Sequence, residues 1–474
     1  MDRRQFLHTS AALAAAGGLP SLTAADDTPG FASPKEAMKA PREKLLFVVC
    51  TYANTGIDKP DYLAVVDADP ASPKYGKVVH RLSMPTPGDE LHHFGWNICS
   101  SCHGQPGDRR YLVVPGLGSS RIHVIDAKDP LNLKMHKVIA ADDIKTRLDL
   151  SAPHTVHCLP SGEMLISMLG NAKGDAPGGF LLLNPDFSMK GRWEAPGQKV
   201  PLNYDFWYQP RFNVMVSSEW AAPKTFAPGP SFDDVKAGKY GQKIHFWDWK
   251  ERKIAQSIDL GAASIPLEVR FAHDPEAVWG FVGAALSSTM WLFNKPRNPD
   301  QAMWAPWKAI QLSPVKNDKF PGGAVPALVS DFVLSMDDRF MYVSAWLHGE
   351  VHQYDITNPA EPKLTGTVKF GGAIDKPRKL KEKELTGGPQ MLQLSLDGKR
   401  LYVTNSLFST WDNAFYPDLA KQGSWMVQID CDTAKGGLKL NENFLVDFGN
   451  EPDGPSRAHE VRYPGGDCTS DIFS

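Results

Sequence analysis

The sequence lacks an apolar segment that could cross a membrane in the mature protein. The apolar run from Ala11 to Leu19 is too short to span a bilayer as a helix. An excess of one charge sign is also absent, because 51 basic residues nearly balance 54 acidic ones and leave a net charge of −3. The sequence therefore gives no reason to expect a mature membrane span or a nucleic-acid partner.

Cysteine is scarce, with six among 474 residues, and a chain of this length does not need a disulfide framework. Glycine and proline are plentiful instead, at 40 and 38 residues, which favours frequent turns over long helices. The 13 tryptophans and 23 phenylalanines suit sheets that pack face to face. The composition is that of a globular, sheet-rich protein.

The N-terminus has the pattern of a twin-arginine export signal. Arg3-Arg4-Gln5-Phe6-Leu7 precedes the apolar run, and Leu22-Thr23-Ala24-Ala25 resembles a cleavage site. We therefore predict a signal peptide over residues 1–25 and one folded domain over residues 26–474. Export by this route happens after folding, often with a cofactor already loaded, and it leads to the periplasm.

Short alternating strands recur between turn residues in sets of four, with no helical segments between them. The innermost strand of each set aligns as a nine-residue segment that opens with a polar side chain. The segments start 51 to 69 residues apart, at His93, His154, Asp205, Glu268, Asp331, Gln390 and His459. This repeat predicts an all-β, seven-bladed β-propeller. A pair of β-sandwiches or a smaller propeller is the alternative.

The two ends of the chain are predicted to share one blade. Lys44–Thr51, Asp61–Asp67 and Lys77–Met84 read as three outer strands that have no inner strand before them. The strand that starts at His459 would complete this blade, close the ring and remove the open sheet edges.

Three histidines among the seven inner-strand openings point to a metal site. Inner strands line the axis of a propeller, and none of the seven openings is apolar, which predicts a hydrated channel. His93, His154 and His459 fall on consecutive blades, so their imidazoles can converge on copper, zinc or iron. His92 and His157 are neighbours that could complete or support the site.

Three other histidines serve as a contrast set. They occupy matched positions on predicted third strands, away from the axis, where blade packing explains them: His123, His245 and His352.

Cys99-Ser-Ser-Cys102-His103 has the spacing of a c-type haem attachment site. Its place in a turn after an inner strand does not suit haem. A disulfide, a soft thiolate site that binds metal or relays electrons, and an inert pair of turn cysteines remain open.

The acidic openings Asp205, Glu268 and Asp331 could accept protons or orient metal ligands. They could equally hydrogen-bond neighbouring strands. The insertion from Phe226 to Tyr240 is predicted to cap a channel mouth.

Several longer motifs together resemble one known family. They include Asp89-Glu-Leu-His-His-Phe-Gly-Trp-Asn97, His154-Thr-Val-His-Cys158, Tyr204-Asp-Phe-Trp-Tyr-Gln-Pro210, Ile265-Pro-Leu-Glu-Val-Arg-Phe271 and His459-Glu-Val-Arg-Tyr-Pro-Gly-Gly-Asp-Cys468. On these motifs, which run from about Pro34 to Ser474, the chain resembles the selenium-binding protein family, whose members include methanethiol oxidases.

The resemblance implies a propeller that uses copper to oxidise methanethiol. Molecular oxygen and water would be consumed, and formaldehyde, hydrogen sulfide and hydrogen peroxide would be formed. It also implies the five histidines named above as copper candidates. Cys99, Cys102, Glu268 and Asp331 are the candidate catalytic side chains.

One position departs from the family pattern. Some members carry a cysteine, proposed to hold selenium, after a Ser-Pro-x-Tyr stretch, whereas Ser72-Pro-Lys-Tyr75 is followed here by Gly76. A carrier of selenium, thiol or copper that catalyses no turnover is the alternative function, because a carrier and an enzyme would share the same ligands. A scaffold for protein partners is a further alternative, but the polar inner-strand openings do not favour it.

Overall fold

Each of the seven predicted repeats forms a four-stranded antiparallel sheet. The computed structural model describes residues 30–105, 107–296, 303–320 and 322–474. The predicted signal peptide, residues 1–25, lies outside this part of the chain. The sheets are the blades of a seven-bladed β-propeller, which confirms the predicted fold class.

The first blade contains β1–β3 together with the last strand of the chain, and β4–β7, β8–β11 and β12–β15 form the next three blades. In chain order, these strands are β1 (Leu45–Thr51), β2 (Tyr62–Asp67), β3 (Val78–Ser83), β4 (Gly95–Trp96), β5 (Tyr111–Pro115), β6 (Ile122–Asp126), β7 (Lys134–Ile139), β8 (Ser151–Cys158), β9 (Met164–Gly170), β10 (Gly179–Leu183), β11 (Met189–Arg192), β12 (Phe206–Gln209), β13 (Val214–Ser218), β14 (Lys243–Asp248) and β15 (Lys253–Asp259).

The remaining blades are β16–β19, β22–β25 and β28–β31, while β20–β21 and β26–β27 form two-stranded hairpins. These strands, with β32 of the first blade, are β16 (Pro266–Phe271), β17 (Trp279–Ala284), β18 (Thr289–Asn294), β19 (Ala305–Gln311), β20 (Val315–Lys316), β21 (Ala324–Val325), β22 (Val329–Leu334), β23 (Phe340–Ala345), β24 (Glu350–Asp355), β25 (Lys363–Lys369), β26 (Lys379–Leu380), β27 (Lys383–Glu384), β28 (Leu392–Leu394), β29 (Arg400–Val403), β30 (Trp425–Cys431), β31 (Leu438–Asp447) and β32 (Arg457–Arg462).

The ring closes as predicted. β32 pairs antiparallel with β1, with Phe47 opposite Arg462 and Val48 opposite Val461. Both ends of the chain therefore contribute strands to the same sheet.

The expectation of no helical segments was wrong, because short helices occupy several loops between strands. They are α1 (Pro34–Ala37), α2 (Ala141–Leu148), α3 (Pro223–Phe226), α4 (Phe232–Lys236), α5 (Ser409–Phe415) and α6 (Leu419–Gln422). Each is about two turns long or shorter, so the loops that contain them carry no sustained helical pattern. Within the described ranges, no helix is both long and apolar enough to cross a membrane.

Large aromatic side chains fill the spaces between blades. The ring of Phe180 lies 5.8 Å from Trp193 and 5.5 Å from Trp247, in edge-to-face geometry. Such contacts bury much apolar area and fix the angle between neighbouring sheets. The blades thereby form a rigid frame around the axis.

Candidate metal centre

Shifts in the pairing register of the inner strands determine the directions of several predicted site side chains. The pairing register of β8 shifts between Pro153 and Val156, the segment that contains His154. β16 shifts in the same way around Glu268, and β32 shifts around His459. A bulge adds an unpaired residue and redirects its side chain, which is why bulges recur beside functional sites.

The backbone just before the openings is also unusual. Glu90, Ile265 and Leu328 each lie three residues before an opening, and each has a positive φ of 49° to 52°. Ile265 is β-branched, so this conformation is strained and must be held by its surroundings. In the blade of His93, the inner strand is only Gly95–Trp96, so His93 lies in the loop before it.

The structure brings four of the five predicted histidines together. Among the described residues, His92, His93 and His154 each offer a ring nitrogen within 4.8 Å of the others. The ring of His459 stacks on His92, with centroids 3.6 Å apart, and lies 5.3 Å from His93. All four are at most 3% exposed.

Hydrogen bonds fix which nitrogen carries the proton in His459 and His93. His459 donates from Nδ1 to the carbonyl oxygen of Ser406 at 2.6 Å, since a carbonyl can only accept. His93 Nδ1 lies 3.0 Å from Glu460 Oε1, and a carboxylate is likewise an acceptor. In both rings the lone pair is therefore on Nε2.

His154 has the same arrangement through a relay. Its Nδ1 lies 3.0 Å from the Thr155 hydroxyl, which donates its own proton to Asp205 Oδ1 at 2.9 Å. The hydroxyl must therefore accept from His154 Nδ1–H, which leaves the lone pair on Nε2. Asp205 thus orients a histidine, and its second carboxylate oxygen accepts a hydrogen bond of 2.9 Å from the Val269 amide of the neighbouring inner strand. The structure therefore shows two of the three roles that the sequence left open for it.

The Nε2 atoms of His93, His154 and His459 are buried, and no described residue hydrogen-bonds them. Burial lowers the pKa of His93 and His154 well below the usual histidine range, and that of His459 to about 3. The imidazoles are thus neutral at physiological pH. Three anchored rings with free lone pairs suit a bound transition metal, because metal-binding histidines usually donate their other ring N–H to a fixed acceptor.

The distances between ring nitrogens and the hydrogen bonds that anchor the rings indicate different third ligands beside His93 and His154. Mutual distance groups His92 with His93 and His154, whereas the hydrogen bonds select His459. The hydrogen bonds decide between the two, because they fix which ring nitrogen is free to bind a metal. His92 then serves as a further candidate ligand that stacks on His459.

Glu268 and Asp331 differ in their distance from this group. Glu268 Oε1 lies 3.8 Å from His93 Nε2, and burial raises the pKa of this carboxyl well above its usual range. Asp331 accepts a hydrogen bond from the Leu392 amide at 2.7 Å, and Arg270 lies 3.3 Å from both carboxylates. Glu268 therefore adjoins the histidines, and Asp331 helps to position Arg270.

The seven openings do not line an open channel at this level. Each is at most 3% exposed. Arg270 and Arg462 occupy the interior between them, and Arg462 pairs with Glu460 at 2.7 Å. Paired charges of this kind satisfy each other where a hydrated channel was expected.

His157 is not part of the histidine group. Its ring lies 5.2 Å from Phe206 and 5.0 Å from Trp207, in edge-to-face geometry. It comes three residues after His154 on β8, so its side chain points to a different neighbourhood from that of His154.

Cys99 and Cys102 are also remote from the histidines. Cys102 Sγ lies 3.6 Å from the thiol of Cys158, at the end of β8. Four residues of strand separate Cys158 from His154, a distance of about 13 Å. All six cysteines lie in the described part of the chain, and all are free thiols.

The contrast histidines lie on third strands, as predicted. His123 on β6 is 3.0 Å from Asp89, and His245 on β14 is 2.9 Å from Glu219. His352 on β24 is 3.3 Å from Glu350. Each has a carboxylate partner within its own blade.

An apolar cavity of about 50 Å³ adjoins the histidine group. A single water needs roughly 10–15 Å³ on this measure, so the cavity has room for a small molecule. His92 and Tyr204 are its members nearest the site, and Tyr204 lies 4.0 Å from His154. Its other walls include Trp220, Leu267, Ala285, Leu407, Phe408 and Trp411.

The insertion from Phe226 to Tyr240 covers this cavity. It contains α4, and Pro230, Phe232 and Val235 are part of the cavity wall. The predicted cap therefore lies over the histidine end of the axis.

Sequence reasoning missed Glu460, Ser406 and Tyr204. One signal could have located Glu460: the triplet Glu-Val-Arg occurs at residues 268–270 and again at residues 460–462. Both copies place a buried Glu–Arg pair beside the histidines. No comparable pattern marks Ser406, because only its carbonyl group is used.

Comparisons with known proteins identify relatives over nearly the whole chain. Residues 25–474 match the family model described as the 56 kDa selenium binding protein. Residues 1–20 match the signal sequence of the twin-arginine translocation pathway. Methanethiol oxidase of Xenopus laevis is 52% identical over 466 residues, and that of Homo sapiens is 53% identical over 465 residues. Each alignment covers 94% of this chain and 98% of the relative.

A solved structure is similar over the same extent. It is described as a hypothetical selenium-binding protein from Sulfolobus tokodaii, is 44% identical and superposes with a TM-score of 0.88. The alignment covers 94% of this chain and 98% of that one.

Proposed function

Since the chain belongs to the 56 kDa selenium-binding protein family, we propose that it is an exported, copper-dependent methanethiol oxidase. The reaction would convert methanethiol, oxygen and water into formaldehyde, hydrogen sulfide and hydrogen peroxide. The names of the relatives support the substrate. The twin-arginine signal supports export, and we propose the periplasm as its destination.

One observation carries the copper assignment: the three anchored imidazoles of His93, His154 and His459, each with Nε2 buried and free. Neutral imidazole is a borderline ligand that suits copper in both common oxidation states. Burial keeps these rings neutral, so protons do not compete for the lone pairs near pH 7. His92 would serve as a fourth donor. Copper, when bound, would supply affinity for a thiolate and the one-electron chemistry that oxygen requires.

The protein's own side chains would select and orient the substrate. The cavity walls are apolar, which favours a small uncharged thiol and excludes water and charged thiols. His92 lies in the wall, so a molecule in the cavity is beside the metal candidates. The segment around α4 supplies Pro230, Phe232 and Val235 to one wall of this space.

Glu268 would hold a proton beside the site. Burial raises the pKa of its carboxyl group well above the usual range, which favours the protonated form, and its Oε1 lies 3.8 Å from His93 Nε2. In the complete reaction, methanethiol gives up one C–H hydrogen and its S–H hydrogen, and the Glu268 carboxyl group, once it has lost its own proton, would accept one of them as a proton.

The direct test is an assay for hydrogen sulfide released from methanethiol by the purified, copper-loaded protein. Catalytic release, many equivalents per protein, is the expected result. Binding of methanethiol or copper without release would establish the carrier alternative instead.

A further inference from the structure

Three thiols meet at the far end of β8 from the histidines. Cys102 Sγ is 3.6 Å from Cys158 Sγ. The hydroxyl of Ser101 lies among the sulfurs, 3.1 Å from Cys99, 3.8 Å from Cys102 and 3.9 Å from Cys158. The sequence offered only the Cys99 and Cys102 pair, and the fold adds Cys158 from the next blade.

The spacing of the sulfurs suits a shared ion. Two of three thiolates bound to one ion at about 2.3 Å, at an angle of about 120°, lie about 4.0 Å apart. The separation of Cys102 and Cys158 is 3.6 Å, which requires little movement. Cys102 and Cys158 therefore form a preformed pair of soft ligands, and Cys99 contacts the Ser101 hydroxyl that lies beside both of them.

The turn that carries the cluster is held from two sides. Asp471 accepts hydrogen bonds from the Ser100 amide and hydroxyl, each at 2.8 Å, and pairs with Arg109 at 2.6 Å. The Phe31 amide donates to Ser100 Oγ at 2.9 Å. Segments near both ends of the mature chain thus fix the positions of the thiols.

The cluster is buried but close to the surface. Cys99, Cys102 and Cys158 are at most 2% exposed, whereas the next residues, His103 and Gly104, are exposed. An ion could reach the sulfurs by a small movement of this turn. Once bound, it would be shielded from water.

We propose that Cys99, Cys102 and Cys158 form a second metal site that binds one Cu(I) ion. Soft thiolates select Cu(I), and three sulfur donors match its preference better than that of zinc, which takes four ligands in structural sites. Binding replaces the thiol protons with the ion and releases those protons to solvent, with no change in oxidation state. This inference does not depend on the proposed catalytic activity.

The test uses the full mature protein, reduced and free of oxygen, titrated with Cu(I) against a chromogenic competing chelator. X-ray absorption of the copper-loaded wild type should show sulfur ligands at about 2.3 Å. The His154→Ala variant, in which the histidine site is weakened, should still bind one equivalent of Cu(I) through sulfur. Cys102→Ala or Cys158→Ala in that background should weaken binding at least ten-fold.

Cys50→Ala is the matched control, because Cys50 is equally buried on β1 and contacts the Val48 carbonyl rather than another thiol. Introduced into the His154→Ala variant, this change should leave the affinity for Cu(I) unchanged. Only nitrogen or oxygen ligands in the absorption spectrum, or unchanged binding in both cluster variants, would overturn the proposal. The spectrum of the wild type gives this answer even if a cluster variant fails to fold.

Discussion

His93 and Glu460 are joined by a hydrogen bond of 3.0 Å although 367 positions separate them in the chain. Glu460 belongs to β32, the strand that closes the ring against β1. The orientation of His93 therefore depends on closure of the propeller. A metal site of this kind is complete only in the folded protein, which agrees with an export route for folded proteins.

Glu460→Gln should weaken copper binding by about 10- to 100-fold, because the amide no longer fixes the tautomer of His93 as a carboxylate does. The dissociation constant for copper, measured by competition, checks this. Glu219→Gln is the control, since Glu219 pairs with His245 on a third strand. Equal affinities in Glu460→Gln and the wild type would show that Glu460 does not orient a ligand.

Ala285→Leu should lower kcat/KM for methanethiol by about ten-fold or more, since several added carbons would fill the cavity beside His92. Copper content should not change, because Ala285 lies in the cavity wall and not among the histidines. Val235→Ala, which widens the same cavity, should increase the relative rate with ethanethiol. Unchanged kinetics in both variants would mean that the substrate binds elsewhere.

His157 should make the metal-free protein sensitive to acid. Burial lowers its pKa to about 3, below the value near 6.5 in the unfolded chain. The unfolded state therefore binds the extra proton first, so stability is full above about pH 6.5 and is lost as pH falls towards 3.

Between pH 7 and pH 5 this one residue should cost about 2 kcal/mol of unfolding free energy. Urea denaturation of the wild type and His157→Gln at both pH values measures the difference, and the wild type should lose more. Comparing the two proteins cancels the opposite effect of buried carboxyls such as Glu268, whose pKa is raised. Parallel losses would contradict the assignment of a neutral, buried His157.

Replacing Arg3 and Arg4 with Lys should block export, because the twin-arginine pathway reads that pair. Cell fractionation should then place the double variant in the cytoplasm, whereas the unaltered protein should be found in the periplasm. Asp2→Lys is the control, because it changes the neighbouring charge and keeps the arginine pair. Normal export of the double variant would refute the proposed route.

The fold could be predicted from the sequence because each blade repeats the same pattern of strands and turns. The predicted third strand Glu350–Asp355 has the observed bounds, and the strand at His459 pairs with the N-terminal blade as expected. Short helices such as α5 were missed, because one or two turns within a loop leave no sustained helical period.

The site could be predicted only in part from the sequence, because the register of the repeats does not specify in which direction an irregular strand points its side chains. The bulge at His154 and the loop position of His93 bring these histidines together. His157 was expected to complete or support the site as a neighbour of His154 in the sequence, but its side chain packs against Phe206. Partners from distant blades, such as Glu460 and Cys158, are visible only after the ring has closed.

The most direct test of the account combines copper content and hydrogen sulfide release in matched histidine variants. His93→Ala, His154→Ala and His459→Ala should each lose most copper and turnover while remaining folded, because a large propeller core does not depend on one metal. His245→Ala, on a third strand, should keep its copper and differ mainly in stability. Full copper content and full activity in the variants of His93, His154 and His459, or loss of copper in His245→Ala alone, would contradict the account.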